Sequence, residues 1–509
     1  MNRQRRSPRS GPLAGAALAL ALLLPGLATA QDSRGDLPDI GNPASTTLSL
    51  DDEYKIGRMI LRRLREAGQI VEDPEVTEYL QTVGARLASH AHEGAHRFTF
   101  FVVNDPGINA FALPGGFIGI NAGLLTATRS ESELAGVLAH EIAHVTQRHI
   151  ARSIQNAGRS GMLSAAAVLA AVLIGATTGM PTDMLLGTVT AAQGLAAQQQ
   201  INFTRSNESE ADRVGIGIMA GAGFDPTGMP DFFWTLQQRS GGAGQNIPDL
   251  LRTHPVTLER IAETRDRAEQ IGRRNATDSV SYGLVRERLR VQILPSDSRF
   301  QDLYQDAASV DLPSSDERRY GRAMALLAGG DPRAAANIMA DLRDRHPDVT
   351  LYHTGLGQAQ LADGDIGGSR QTLEQAHALF PRNVPVTLRF AEVLLRTEEQ
   401  KLAHQVLLDL FNNVPPTPEQ ARFIALAASA AGDTADAHSY MAEYHVMGGE
   451  LSMAIDQLKL ALTMPDLSDV QRQRFEARAK ELEEYLPKGR RAREVANPST
   501  PGESRLESR

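Results

Sequence analysis

Ser130-Glu131-Ser132-Glu133-Leu134-Ala135-Gly136-Val137-Leu138-Ala139-His140-Glu141-Ile142-Ala143-His144 is the stretch of this 509-residue chain whose reading decides the rest. Ser130 followed three residues later by Glu133 is a helix-start signal of the capping-box kind. Leu134, Val137, Leu138 and Ile142 then recur at helical spacing, which places the helix in a core. His140 and His144, four residues apart, project from one face of that helix about one turn apart. Buried imidazoles need partners, and a metal ion is a natural one. Two imidazoles so placed can both reach one Zn2+ at roughly 2.0–2.1 Å. Glu141 stands beside them, able to point into a cleft and take the proton of a water whose pKa zinc lowers to about 7.

A catalytic zinc keeps three protein ligands and an open position. Gln147 and Ile150 stand where an extended His-Glu-x-x-His-x-x-Gly-x-x-His arrangement would need glycine and histidine, so the third ligand comes from elsewhere. The best candidate lies in Asn207-Glu208-Ser209-Glu210-Ala211-Asp212, on a helix expected over 207–222. Glu208 completes a His2Glu site, and Asp212, four residues on, either accepts a hydrogen bond from a ligand imidazole or faces the reacting carbonyl. Glu210 reads as an acidic surface position. His254, in Thr253-His254-Pro255 after the Gly-rich loop 241–244, is a candidate fourth ligand that would close the site, or an oxyanion stabiliser; a purely structural loop histidine is the alternative. His90, His92 and His96 fall in a polar loop and read as solvated. His149, one turn beyond His144, is expected to be exposed or to support a ligand.

Composition narrows the chemistry. Hydrophobic residues make up 42% and charged residues 22%, the make-up of a globular chain long enough for two or three domains. Cysteine is absent, which excludes thiolate ligands and Cys nucleophiles. The formal net charge of −9 provides no electrostatic footprint for nucleic acid, and no phosphate-cradling Gly-rich loop suggests ATP use. Residues 1–30 read as a signal peptide: Arg3, Arg5, Arg6 and Arg9, an apolar run, then Ala28-Thr29-Ala30. Its removal would take the charge to −13, four arginines fewer.

A polar lead-in (31–50) is followed by a catalytic domain over 51–275. It opens with a helix from Asp51 that carries Ile56, Met59, Ile60 and Leu64, with Ile70 in the same register, and a second helix over 74–87. Residues 98–103 read as a strand, and 109–125 as extended chain around a Pro114-Gly115-Gly116 turn. The apolar 162–200 stretch reads as a buried helix and mobile loop, or as a flap that covers the active site or makes peripheral membrane contact. A connecting segment (276–315) leads to 316–486, where Gly330-Asp331, Gly364-Asp365 and Gly432-Asp433, with Pro347, Pro381 and Pro415, keep a 34-residue register. That period, with Ala335 and Ala403 at its small-residue position, is the signature of tetratricopeptide repeats. The tail 487–509 has the composition of a disordered segment.

The segments His140-Glu141-Ile142-Ala143-His144, Glu208-Ser209-Glu210-Ala211-Asp212 and Asn109-Ala110-Phe111-Ala112-Leu113-Pro114-Gly115-Gly116 together resemble the M48 family of zinc metalloproteases, and none of their positions departs from its pattern. Including the repeats, the resemblance runs over about 49–486. It implies a mainly α chain: a zincin-like α+β metalloprotease domain with a small β-sheet, then an α-helical tetratricopeptide-repeat solenoid. It implies one Zn2+ held by His140, His144 and Glu208, Glu141 as general base, and Asp212 as proton donor or as a partner of a ligand. With a leader before and repeats behind, the resemblance is to periplasmic members acting, without ATP, on misassembled outer-membrane β-barrel proteins. The repeats would then recruit substrate or the outer-membrane assembly machinery. A tetratricopeptide adaptor or chaperone with a mostly latent protease domain is the competing expectation. The 109–125 stretch could pair with a substrate strand or be a structural hairpin only.

Overall fold

The computed structural model describes residues 48–91, 97–156, 194–240, 248–294, 304, 315–465 and 467–486. The leader, nearly all of the lead-in, residues 162–193, the tail 487–509, and His92 and His96 lie outside them. Helix α1 (Leu50–Glu66) is capped by the Ser49 side chain, which accepts from the Asp52 amide. Its buried stripe is Glu53, Gly57, Leu61 and Leu64, rotated from the expected one; Met59 faces out. The rotation follows from what α1 lies on, because Leu61 and Leu64 join Phe101, Leu113 and Phe117 in a small apolar cluster while Tyr54 packs on the Phe117 ring. Ile70 lies beyond the helix, in a bridge to Val103.

Helix α2 (Pro74–Ala88), capped by Asp73, packs on a three-stranded sheet of β1 (Thr99–Val103), β2 (Ala110–Leu113) and β3 (Phe117–Asn121) in the order β1-β3-β2. β3 runs parallel to β1 and antiparallel to β2, which leaves β2 at an edge. The extended reading of 109–125 therefore holds to Asn121; beyond it the chain turns into helix α3 (Ala122–Ala127), whose Gly123 amide bonds to the Asp105 carbonyl. Helix α4 (Glu131–Thr146) follows, with the Ser130 hydroxyl accepting from the Glu133 amide. The Glu133 carboxylate reaches back one residue further than a capping box needs, to the Arg129 amide at 2.7 Å.

Helices α5 (His149–Asn156), α6 (Gly194–Gly221), α7 (Gly228–Ser240), α8 (Asp249–Thr253), α9 (Leu258–Ile271) and α10 (Val280–Gln292) complete the first part of the fold. α4 lies between the sheet and α2 on one side and α6 and α7 on the other, so nearly every residue it has is buried. Ten further helices form pairs: α11 (Ser315–Ala328) with α12 (Pro332–Arg345), α13 (Thr350–Ala362) with α14 (Ile366–Leu379), α15 (Val384–Arg396) with α16 (Gln400–Asn413), α17 (Pro418–Ala430) with α18 (Thr434–Gly448), and α19 (Leu451–Leu462) with α20 (Asp469–Glu484). Each neighbour packs on the next, the arrangement of a helical-repeat solenoid. Ala335 and Ala403 are both fully buried between paired helices.

The solenoid and the catalytic elements share one apolar core, which runs from Phe100 and Ile118 through Leu284 and Leu289 to Tyr320, Met339 and Leu356. Inside that joint the Arg288 guanidinium, buried, bonds to Asp73 (2.7 Å), Glu75 (3.3 Å), the Tyr320 hydroxyl (3.1 Å) and Gln358 (3.1 Å). Arg389 of α15 reaches Glu75 at 3.0 Å, and Asn383 reaches Glu78 at 3.1 Å. Farther along, Arg58 bonds to the Val446 carbonyl, Arg62 pairs with Glu450 and Arg65 with Glu419, so α1 also meets the fourth helix pair and the residue that precedes the fifth. No helix of the described residues is long and apolar enough to cross a membrane.

Candidate metal centre

Four side chains from three segments converge at α4. From α4 itself come His140 and His144, whose Nε2 atoms stand 3.0 Å apart. α6 supplies Glu208, with Oε2 3.4 Å from His140 Nε2 and Oε1 3.4 Å from His144 Nε2. The residue after α8, His254, places Nδ1 2.9 Å from Glu208 Oε1 and 3.4 Å from His140 Nε2. Donors at about 2.0–2.1 Å from a tetrahedral zinc lie ~3.3 Å from one another, so these spacings suit that ion. Among the described residues this is the one group of metal-type donors so gathered. Close helix approach makes it possible: a Cβ on Gly136 would stand 2.9 Å from Met229 Cα, and one on Gly215 3.1 Å from the His140 amide nitrogen.

The chemistry of the donors tests the fit further. His140 Nδ1 lies 2.9 Å from Asp212 Oδ1, and His144 Nδ1 lies 2.8 Å from His149 Nδ1, so each ring is engaged at Nδ1 and turns Nε2 toward the other. Burial opposes protonation of His140, yet Asp212 and Glu208 hold its pKa up to about 10. His144, pushed down to about 3 by burial and by its charged neighbours His140 and His254, remains neutral despite Glu208. Two imidazole Nε2 atoms 3.0 Å apart in a dry site need a proton or a metal cation between them, and without a metal that role falls to the proton His140 carries. Glu141 points the same way: it is 1% exposed, and neither carboxylate oxygen has a hydrogen-bond partner. The nearest charged neighbour is His254 Nε2, 3.7 Å from its Oε1. An orphaned buried carboxylate costs several kcal/mol unless a water or cation meets it.

Behind the donors stands a residue with no signal in the sequence. Arg260 of α9 bonds to both Asp212 oxygens, from Nε at 2.8 Å and Nη2 at 2.9 Å, and its Nη1 reaches Glu208 at 3.0 Å and the Pro255 carbonyl at 2.7 Å. Phe233 of α7 lies under that guanidinium at 5.1 Å and meets the His140 ring edge-on at 6.3 Å. Although burial would raise it, the Asp212 carboxyl is held below its ordinary range by His140 and Arg260. Glu210 is not the free surface carboxylate its position suggested, because it takes Nε2 of His149 at 3.1 Å and Arg152 at 3.0 Å. His90 bonds to Ser89 and the Arg86 carbonyl, apart from the cluster.

Residues 74–268 match the model of peptidase family M48. The chain is 30% identical over 470 residues to the β-barrel assembly-enhancing protease of Escherichia coli K12, covering 92% of this chain and 94% of that one. It belongs to peptidase family M48. The Yersinia pestis protein of the same name is 31% identical over 458 residues, 90% of this M48 chain and 93% of the relative. A plant relative, mitochondrial metalloendopeptidase OMA1 of Arabidopsis thaliana, is 32% identical over 192 residues, 38% of this chain and 36% of that one. The M48 chain described here is thus a metalloprotease, with helical repeats behind its peptidase domain.

Proposed function

We propose that this chain is a zinc endopeptidase of the periplasm that degrades misassembled outer-membrane β-barrel proteins and supports their assembly. The observation that carries the chemistry is the convergence of His140, His144, Glu208 and His254 at tetrahedral spacing beside the orphaned Glu141 carboxylate. The leader sequence and the names of the two bacterial relatives support the compartment and the substrate class. Zinc, when bound by His140, His144 and Glu208, polarises the scissile carbonyl and acidifies the attacking water. Glu141 takes the water's proton on an unpartnered oxygen and hands it to the leaving amine. Asp212 has both oxygens engaged, which supports an orienting role on His140 over proton donation. Edge strand β2, packed beside α4, supports main-chain pairing with an extended substrate.

His254 fills the fourth position and so closes the resting site; access for substrate requires it to withdraw. The domain limits 51–275 and 316–486 serve the same reading, with the repeat surface recruiting substrate or the outer-membrane assembly machinery. The closed site also favours the second reading, a tetratricopeptide adaptor with a mostly latent protease. Glu141→Gln separates the two. We expect it to keep zinc and lose proteolysis by at least about 10²-fold, as loss of a general base does, and to lose protection of outer-membrane assembly in cells. Full cellular function in that variant would establish the adaptor reading.

A further inference from the structure

Helix α5 holds none of the four metal-type donors, yet its first residue returns to the site. Between α4 and α5 the chain turns at Arg148, which sits in the left-handed region at φ 52°. That conformation costs a non-glycine residue about 1–2 kcal/mol. Here it is held by the Arg148 guanidinium, whose Nε and Nη2 bond to Glu53 Oε1 at 3.1 and 2.5 Å while Nη2 also reaches the Leu48 carbonyl at 2.7 Å. The turn brings His149, 3% exposed, edge-on to the His144 ring with centroids 4.8 Å apart. His149 Nδ1 then stands 2.8 Å from His144 Nδ1, and His149 Nε2 stands 3.1 Å from Glu210 Oε2. Arg152, one turn along α5, donates to the same Glu210 Oε2 at 3.0 Å.

Hydrogen-bond accounting permits one tautomer pattern here. A neutral imidazole that offers its lone pair at Nε2 carries its proton at Nδ1. His144 offers Nε2 to the other donors, so its Nδ1–H needs an acceptor, and His149 Nδ1 is the atom in place. His149 then carries its own proton at Nε2, and Glu210 accepts it. The same chain fixes the plane of the His144 ring, as a partner on the far nitrogen of a metal-bound histidine does. We infer that His149 is a positioning residue for His144, presenting a hydrogen-bond acceptor backed by Glu210 and Arg152 and delivered by the left-handed turn at Arg148. The inference rests on reading His144 as a zinc ligand.

Zinc affinity of the full chain, measured against a competing chromophoric chelator, tests it. His149→Asn keeps an acceptor oxygen near the position of Nδ1, whereas His149→Phe keeps the volume and offers none. Removing such a partner is expected to weaken zinc binding about 10- to 100-fold in His149→Phe, with His149→Asn within about 3-fold of wild type. The metal-free melting profiles of all three should coincide. Wild-type affinity in His149→Phe, or equal losses in the two variants, overturns the inference while leaving the zinc site standing. A wild-type chain that takes up no zinc sinks the proposed function as well. Should His149→Phe not fold, the half-buried Glu210 carries the same comparison. Glu210→Ala is expected to weaken zinc binding and Glu210→Gln, whose amide oxygen still accepts from His149, to preserve it; equal behaviour of the pair overturns the inference.

Discussion

His254 occupies two roles that a single substitution separates. Its Nδ1 lies among the zinc donors and its Nε2 faces Glu141, so in place it both completes a coordination sphere and covers the base. Replacing it by Ala should weaken zinc binding, by about 10-fold if it acts as a ligand, and raise peptidase turnover if it closes the site. Chelator competition and cleavage of an unfolded protein substrate read the two effects. Unchanged values in both would return His254 to an ordinary structural role. At this scale the sequence marks His140, His144 and Glu208 through i and i+4 spacing, which is local and survives any fold. It carries no mark for Arg260, since an arginine on an amphipathic helix looks the same whether it meets water or two buried carboxylates. Glu210 reads in the sequence as a surface position, and His149 as either exposed or ligand-supporting, for the same reason: the left-handed turn that joins them to the site has no glycine to announce it.

Among the elements, the repeat turns are the ones whose register the chain spells out. Gly330, Gly364 and Gly432 all adopt φ between 83° and 88°, and the equivalent place in the third unit, Glu398, adopts φ 60°. Asp331, Asp365 and Asp433 cap the helix that follows; Glu399 makes no cap bond and instead pairs with Arg370. Glu398 is exposed and pays the left-handed penalty that its three counterparts avoid. Glu398→Gly should therefore stabilise the protein by about 0.5–1 kcal/mol, the glycine advantage at such a φ less its unfolded-state entropy. A thermal or urea melt that shows loss of stability would contradict this. Helix α4 behaves differently: its start was legible from Ser130, but its packing was not, because the two glycines that admit α6 and α7 are ordinary small residues until those helices arrive.

Across the whole molecule, the catalytic elements and the repeats meet around a buried charge cluster. Arg288 lies between Asp73 and Glu75, and Arg389 closes on Glu75 from α15. Burial favours a neutral Glu75, yet the two guanidiniums outweigh it and hold its carboxyl far below the ordinary range. Arg288→Met fills similar volume but strips Asp73 of its closest cation. Breaking one side of a buried pair in this way is expected to cost about 3–5 kcal/mol, and the loss should appear in both parts of the chain as a single cooperative transition. A melt in which the peptidase part alone is affected would show that the two parts fold independently.

The metal motif on α4, the acidic pair Glu208 and Asp212 on α6 and the 34-residue period were determined by the sequence itself, because each depends on spacing within a helix or on a repeated turn. The tertiary structure decided the rest. Donors 46 to 114 residues apart meet only because α4, α6 and the turn after α8 pack together. The expected connecting segment contributes α10, whose Arg288 ties the repeats to the peptidase core. Such contacts depend on which surfaces are dry once the chain is compact, and burial of that kind is a property of the packed molecule rather than of any stretch of residues.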